Sequence, residues 1–123
     1  MTYTRRVQLS LIETALDKFP NAHIIVSSAL PRLIPMARKD RTNEIIKQLN
    51  GQLQSNCRNS ARVTFADHIP TLVTESRDIR EDLYYDNVHL NYRGLGRLVI
   101  NLRKTIDMID ASSFQIRAHQ PRR

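Results

Sequence analysis

The run from Ala22 to Ala29 is the part of the sequence that most restricts the fold. At its centre three β-branched residues, Ile24, Ile25 and Val26, follow one another. A strand with one face in water alternates apolar and polar residues, whereas a short and nearly continuous apolar run is typical of a strand covered on both faces. The run therefore predicts a buried parallel strand.

Amphipathic helices are predicted on both sides of this strand. Residues 4–19 place their apolar side chains on one helical face, with Thr4 as the cap and Pro20 as the stop. A second helix is predicted from about residue 40 to residue 57, because apolar residues there recur every four positions. These recurring residues are Ile45, Leu49 and Leu53.

Three further segments complete the predicted order of elements. Residues 62–66 alternate polar and apolar and predict a second short strand of the same sheet. Residues 67–85 mix acidic and basic residues irregularly, which predicts a long surface connection holding a short helical turn. A long amphipathic helix follows Asn91, its predicted N-cap, and runs to about Ile109. Helix, strand, helix, strand predicts the α/β class.

The charge of the chain favours acidic partners without naming one. Nineteen Lys and Arg against twelve Asp and Glu give a formal net charge of +7, and such a surface attracts polyanions through counterion release. The basic residues are spread along the chain, however, and no zinc-finger spacing, RNP motif or basic-plus-heptad pattern occurs. A non-catalytic module that binds nucleic acid or a protein is therefore the alternative reading.

The cellular location is constrained only by patterns that do not occur. No apolar run approaches the roughly 20 residues that cross a bilayer, and the basic start leads into an amphipathic segment unlike a secretory signal. The lone cysteine, Cys57, cannot form an internal disulfide. The sequence thus favours a soluble protein with no membrane span, in the cytoplasm.

The string from Tyr85 to Gly94 carries the clearest chemical pattern. A carboxylate three residues before an imidazole can curl back on a loop and accept the Nδ1 proton. That contact fixes the tautomer, stabilises the imidazolium and leaves Nε2 as a general base. Asp86 and His89 have this spacing, so they are the candidate catalytic base and orienter. The spacing alone also arises by chance, and its context has to support it.

That context resembles the SGNH (GDSL-like) hydrolase family. Asp-x-Val-His-Leu-Asn-x-x-Gly, beginning at Asp86, is similar to the final conserved block of the family, and Phe19 to Arg32 is similar to its strand-to-loop segment after the Asn-bearing block. The resemblance covers roughly residues 5–109. It implies a flavodoxin-like three-layer α/β/α sandwich with a parallel sheet, and ester hydrolysis by a Ser-Asp-His triad with a Gly and an Asn in the oxyanion hole.

Only the Asp and the His of the implied triad have counterparts here. The serine of the family lies in a Gly-Asp-Ser block, and this chain has neither that block nor a Gly-x-Asn-Asp stretch. The resemblance therefore implies a partial domain, residues 1–110, with the N-terminal strands missing, followed by a basic disordered tail over residues 111–123. We expect the chain alone to be inactive, and to act on an acyl ester only when an upstream segment completes it.

Two serines and the cysteine are the other candidate nucleophiles. Ser27 and Ser28 end the predicted first strand, but no glycine-bounded elbow surrounds them, so packed small residues are the favoured interpretation. Cys57 ends an amphipathic helix and is interpreted as a half-buried apolar residue.

The remaining histidines and arginines are the other candidates for binding a metal ion or an anion. Asp67 and His68 could join the Asp86 and His89 pair in a metal site, but no short-spaced ligand pair supports it, and no metal or cofactor is predicted. The remaining positions of interest are His23 in the first strand, His119 in the tail, and Arg32 and Arg93 on either side of the candidate site. Either arginine could meet an anionic substrate group, although solvated arginines are commoner.

The small number of predicted strands also bears on association. With two strands, the sheet should expose apolar edges that missing strands would otherwise cover, which favours self-association or completion by a partner.

Overall fold

A parallel pair of strands forms the centre of the protein. The structure, a computed structural model, describes residues 3–33 and 41–118, with side chains through residue 112. Strand β1 (Ile24–Ser27) pairs with β2 (Val63–Ala66) in parallel over its whole length. The predicted α/β class with a parallel sheet is confirmed, and both strands fall inside their predicted segments.

Three helices surround the strands. Their bounds are α1 (Tyr3–Lys18), α2 (Thr42–Cys57) and α3 (Tyr92–Ala118). Helices α1 and α2 cover one face of the sheet, where Ile12, Cys57 and Val63 form a buried cluster. Its half-buried surroundings are Leu16, Ile24, Val26 and Phe65. Because side chains alternate along a strand, Ser27 points to the opposite face, and there it joins a hydrogen-bond cluster that includes Asn101 of α3.

The buried line of α2 differs from the predicted one. Ile45 is 54% exposed, and the helix instead buries Ile46, Asn50 and Cys57. The reason is the amide of Asn50, which donates to the carbonyl oxygen of Ala29 and accepts from its backbone N–H. These two bonds turn a polar residue toward the sheet, and the apolar repeat does not record them.

The segment after β2 contains the predicted helical turn, but it is more buried than the predicted surface connection. It contains two 3₁₀ turns, Ile69–Thr71 and Glu81–Leu83. Leu72 after the first turn, Leu83 at the end of the second and Tyr84 directly after it are buried and form a second apolar cluster. The loop after β1 contributes Leu30 and Leu33, and Ile79 and Leu90 complete the cluster. Apolar side chains from two loops thus bury one another, which an irregular sequence without periodicity does not show.

Helix α3 begins where predicted and ends later. The side-chain oxygen of Asn91 accepts from the backbone N–H of Gly94 at 3.0 Å, which confirms the N-cap. The helix continues to Ala118 and so includes residues 111–118 of the predicted tail; no Gly or Pro interrupts the chain there. Residues 119–123, with His119, lie outside the described residues, and the proposed domain boundary stays a prediction.

The apolar stripe of α3 is only partly covered. Leu98, Leu102 and Ile109 are half-buried, whereas Leu95 and Val99 are 49% and 61% exposed. Over the ranges that the structure describes, no helix is both long and apolar enough to cross a membrane.

Candidate active site

Asp86 and His89 lie in a short closed loop between the second 3₁₀ turn and α3. An antiparallel bridge between Tyr84 and Leu90 forms the neck of the loop. Just beyond it, the backbone N–H of Tyr85 donates to the carbonyl oxygen of His89 at 2.8 Å. The four residues from Asp86 to His89 are therefore held in a tight turn rather than a free loop.

The carboxylate of Asp86 organises this turn. Its Oδ1 accepts from the backbone N–H groups of Val88 and His89, both at 2.7 Å. These backbone donors, together with the His89 side chain, lower the pKa of Asp86 to about 2, with the Val88 N–H as the largest cause. Asp86 is therefore ionised at neutral pH and can only accept hydrogen bonds.

The same carboxylate contacts the imidazole of His89. Nδ1 of His89 lies 2.8 Å from Oδ2 and 3.0 Å from Oδ1 of Asp86. Since a carboxylate offers no proton, Nδ1 carries the hydrogen, and Nε2 of the neutral ring keeps its lone pair. The His89 side chain is 74% exposed, and no described residue bonds to Nε2. The structure thus brings together the two predicted residues in the predicted relationship.

The asparagine after this loop fastens its base. Nδ2 of Asn91 donates to the carbonyl oxygen of Asp82 at 2.8 Å, and its backbone N–H donates to that of Leu83 at 2.9 Å. Gly94, in the first turn of α3, packs so closely that a Cβ there would lie 2.2 Å from the carbonyl oxygen of Leu83. The exposed pair therefore stands on a rigid and closely packed base.

The loop after β1 is tied to the Asp86 loop. The hydroxyl of Tyr84 donates to the carbonyl oxygen of Pro31, and burial raises the pKa of Tyr84 to about 12. The backbone N–H of Leu33 donates to the carbonyl oxygen of Asn87 at 2.9 Å. The chain leaving the carboxyl end of β1 therefore runs beside the candidate site, at the edge where open α/β sheets bind their ligands.

Arg32 lies between these two ties, and an asparagine of α2 fixes its backbone. Asn43 accepts from the N–H of Arg32 and donates to its carbonyl oxygen, both at 2.8 Å. Asn50 holds the backbone of Ala29, three residues before Arg32, in the same way. Neither asparagine was predicted as part of the site. Their spacing of seven, two helical turns on one face of α2, was the available signal. The Arg32 side chain is exposed.

Arg93 belongs to a surface network rather than to the pair. Its Nη1 lies 3.8 Å from Oδ2 of Asp82, and its side chain is 71% exposed. Asp82 already accepts a two-point contact from Arg80, at 3.2 and 2.7 Å. The hydrogen bond from Arg80 is the main cause that lowers the pKa of Asp82. Such exposed ion pairs contribute little to stability.

The alternative nucleophiles have different surroundings. Cys57 is buried in the core, and burial raises the pKa of its thiol, so the thiolate that would react is disfavoured. Ser28 is buried and its Oγ accepts from the backbone N–H of His68 at 2.9 Å. Ser27 is exposed, and its Oγ lies 3.2 Å from Nε2 of His68.

His23 and Asp67 make their hydrogen bonds with residues other than Asp86 and His89. Nε2 of His23 lies 2.7 Å from Oγ1 of Thr64 on the neighbouring strand. Asp67 accepts from the backbone N–H of Ile69 at 3.1 Å. Within residues 3–33 and 41–118, no three His, Cys, Asp or Glu side chains group in a way that could hold a metal ion.

Comparison with solved structures finds the same architecture in larger proteins. A candidate platelet activating factor from Streptococcus pneumoniae superposes with a TM-score of 0.73 at 21% identity, over 82% of this chain and 49% of that one. A GDSL-like lipase from Bacteroides thetaiotaomicron superposes with a TM-score of 0.62 at 17% identity, over 85% of this chain and 53% of that one. No protein-family model matches the sequence, and neither does any curated protein.

These neighbours define the fold of the chain. It is the α/β fold of GDSL-like hydrolases, as the sequence resemblance implied, and the chain spans about half the length of the neighbours it matches.

Proposed function

We propose that this chain carries the general base and its orienter, His89 and Asp86, of an SGNH-type ester hydrolase. The observation that carries the proposal is the contact of both Asp86 oxygens with Nδ1 of His89, at 3.0 and 2.8 Å, with Nε2 open to solvent. This is the arrangement that a hydroxyl nucleophile requires of its base. The GDSL-like fold of the solved neighbours supports it.

In the proposed chemistry Nε2 of His89 first accepts a proton and then returns it to the group that leaves. Nε2 of His89 takes the proton of a serine hydroxyl as its oxygen attacks the ester carbonyl, and Asp86 stabilises the imidazolium that forms. The imidazolium then returns the proton to the departing alkoxide, leaving an acyl-serine. Water, deprotonated by the same Nε2, then attacks the acyl carbonyl. As the bond to the serine oxygen breaks and the carboxylic acid leaves, the imidazolium returns the proton to that oxygen. The substrate class is a carboxylic ester, and no cofactor takes part.

The serine and the oxyanion-hole donors of this scheme come from a segment other than these 123 residues. Among the described residues no strand pairs with the edge of β1 away from β2, and this edge offers a place for it. Ile24 and Ser28 direct their N–H groups to Arg62 and Ala66 of the β2 side. Because the N–H groups of a strand alternate in direction, those of Ile25 and Ser27 point away from β2. A further parallel strand paired there would carry its own carboxyl end to the edge where His89 lies.

The exposed part of α3 supports this completion. Leu95, Val99 and Ile100 are 49%, 61% and 58% exposed. They leave apolar helix surface in water that a further segment could cover. Self-association of the chain is the competing way to cover the edge of β1 and this surface of α3. Sedimentation of the chain at several concentrations distinguishes self-association from completion by another segment.

A fusion protein tests the catalytic proposal. We would join the unmatched half of the Streptococcus pneumoniae neighbour ahead of Tyr3 and measure turnover of p-nitrophenyl acetate. The chain alone should show negligible turnover and the fusion should be active. His89→Ala should reduce the activity of the fusion by a factor on the order of 10³ or more. His23→Ala, another exposed histidine, is the matched control and should leave the activity unchanged.

The chain alone provides a second test that needs no partner. Imidazole ¹⁵N shifts should show His89 with its hydrogen on Nδ1, and Asp86→Asn should lower the population of that tautomer. Activity of the fusion that survives His89→Ala would refute the assignment of the base. A dominant Nε2–H tautomer in the wild-type chain would refute it as well.

A binding role without catalysis is the second candidate function. It is favoured by the exposed basic side chains of α3, which are Arg93, Arg97, Arg103 and Lys104. Retention on single- or double-stranded nucleic acid that falls steeply with salt would support this role. Absence of binding at low ionic strength would eliminate it.

A further inference from the structure

A second histidine cluster lies at the same edge of the sheet, outside the Asp86 and His89 pair. His68 follows β2 directly and is fully buried. Its backbone N–H donates to Oγ of Ser28, and its carbonyl oxygen accepts from Oγ1 of Thr71 at 2.7 Å. Both ring nitrogens are also engaged, Nδ1 by Asn101 and Nε2 by Ser27. The imidazole thus connects the ends of both strands with α3.

Asn101 determines which ring nitrogen carries the hydrogen. Its Nδ2 lies 2.9 Å from the carbonyl oxygen of Asp67 and 2.9 Å from Nδ1 of His68. A carbonyl oxygen can only accept, so the atom between them is the amide nitrogen, and its two hydrogens serve the two contacts. Nδ1 of His68 is therefore an acceptor. The ring hydrogen is on Nε2, which donates to Oγ of Ser27 at 3.2 Å.

This direction of hydrogen bonding assigns a role to Ser27. With one lone pair of its oxygen accepting the hydrogen of His68 Nε2, the Ser27 hydroxyl keeps its own hydrogen to donate elsewhere. No described residue accepts that hydrogen, and Ser27 is exposed at the carboxyl end of β1. The array has the residue types of a Ser-His-Asn triad but the wrong polarity, because Nε2 has no lone pair to take a proton from Ser27.

We infer that the Ser27 hydroxyl is a preset hydrogen-bond donor for an acyl oxygen, held in that state by His68 and Asn101. It would bind the carbonyl or carboxylate oxygen of a substrate or product at the edge of the sheet. Ser27 is the binding residue, and His68 and Asn101 are positioning residues. The choice of an acyl group rests on the proposed ester hydrolysis, whereas the donor polarity rests on the cluster alone.

The polarity is tested first, on the chain alone. Imidazole ¹⁵N shifts should show the hydrogen of His68 on Nε2. Asn101→Asp replaces the amide donor with an acceptor and should move the hydrogen to Nδ1. A wild-type chain with Nδ1–H on His68 would overturn the inference, and so would an Asn101→Asp variant that remains folded with the tautomer unchanged. If Asn101→Asp does not fold, the wild-type measurement still decides.

Binding is tested with two acyl probes and a control. Butyrate and butyramide both present an acyl oxygen, and butylammonium of the same length presents none. Saturable shifts of the Ser27 amide and His68 ring signals are expected with one or both acyl probes, and not with butylammonium. A response to butyrate alone assigns a carboxylate product, and a response to butyramide assigns a carbonyl. No response to either, or an equal response to butylammonium, would overturn the inference.

Substitutions separate binding from a purely structural role. Ser27→Ala should weaken binding of the responding probe by about threefold to tenfold, as expected for one lost hydrogen bond. Ser27→Thr retains the hydroxyl on a β-branched side chain suited to a strand and should restore binding. Ser10→Ala, on the exposed side of α1, is the matched control. His89→Ala should leave probe binding at Ser27 intact, so failure here is distinct from failure of the catalytic proposal.

Discussion

The two histidines at the carboxyl edge of the sheet have opposite chemistry. His89 is 74% exposed and its Nδ1 faces a carboxylate three residues away. His68 is fully buried and its Nδ1 faces an amide nitrogen from another element, 33 residues away. The carboxylate leaves Nε2 of His89 as an acceptor, suited to take a proton. The amide leaves Nε2 of His68 as a donor, suited to hold one in place.

The difference shows that the partner of Nδ1, rather than the histidine itself, determines what Nε2 can do. Helix α3 follows His89 in the sequence and contacts His68 through Asn101, and both histidines lie at the same end of the sheet. Exposure separates them further, because an exposed ring can exchange protons with water and substrate while a buried neutral ring supports packing. Three experiments sharpen or break this contrast.

Removing each imidazole should give the largest difference. His68→Ala empties a buried site and leaves Asn101 and Ser27 without their partner, so the free energy of unfolding should fall by about 2–4 kcal/mol. His89→Ala removes an exposed ring and should change it by less than about 0.5 kcal/mol. Urea denaturation of both variants, followed by circular dichroism, measures the two values. Equal losses would contradict the division into a structural histidine and an exposed histidine that is free for the proposed catalysis.

The sequence revealed these two sites unequally. Asp86 and His89 are three residues apart, and a local spacing of this kind can be read without a fold. The partners of His68 come from β1, from α3 and from its own loop, and no spacing in the sequence joins Ser27 to Asn101. The sequence therefore indicated His68 only as a possible metal ligand and gave no role to Asn101.

The fold shows the same division between local and long-range information. Periodicity predicted the three helices and β2, and a short continuous apolar run predicted β1, because each of these patterns depends on neighbouring residues. Periodicity predicted the buried face of α2 only in part, since Leu49 and Leu53 are half-buried but Ile45 is exposed. Asn50 faces inward instead, where it pairs with Ala29. Periodicity also missed the burial of Leu72 and Leu83, which depends on two distant loops meeting.

The base of the Asp86 loop provides the second test. Gly94→Ala would place a Cβ 2.2 Å from the backbone oxygen of Leu83, so α3 must shift and weaken the bond from Asn91 to that oxygen. We expect a loss of about 1–3 kcal/mol in the free energy of unfolding. Gly96→Ala has nothing within 4 Å and should raise it by about 0.5–1 kcal/mol.

Backbone amide shifts would show where the damage from Gly94→Ala is concentrated. Changes in Asp86 and His89, with Ser27 and His68 unaffected, would show that only the exposed pair depends on this contact. Matching changes in His68 would mean that the two sites are coupled through α3 and cannot be compared as independent units.

Acidification should give the smallest effect and affect the buried site first. Burial lowers the pKa of His68 below 6.5, and the nearby Asp67 charge only partly offsets this. As the pH falls below 6.5, the unfolded chain binds the proton more readily than the folded one, so stability declines. The pKa of Asp86 is about 2 against 3.8 in the unfolded chain. Its contribution is complete above pH 3.8 and is lost as the pH falls toward 2.

Urea midpoints across this pH range separate the two histidine sites by their charges. His68→Gln removes the buried ionisable ring and should flatten the decline that begins near pH 6.5, while Asp86→Asn should leave that decline in place. At more acidic pH the order reverses, because only Asp86→Asn removes a carboxylate whose hydrogen bonds from the backbone weaken on protonation. If Asp86→Asn also flattened the decline above pH 5, the exposed pair would contribute to folding as the buried cluster does, and the contrast between them would fail.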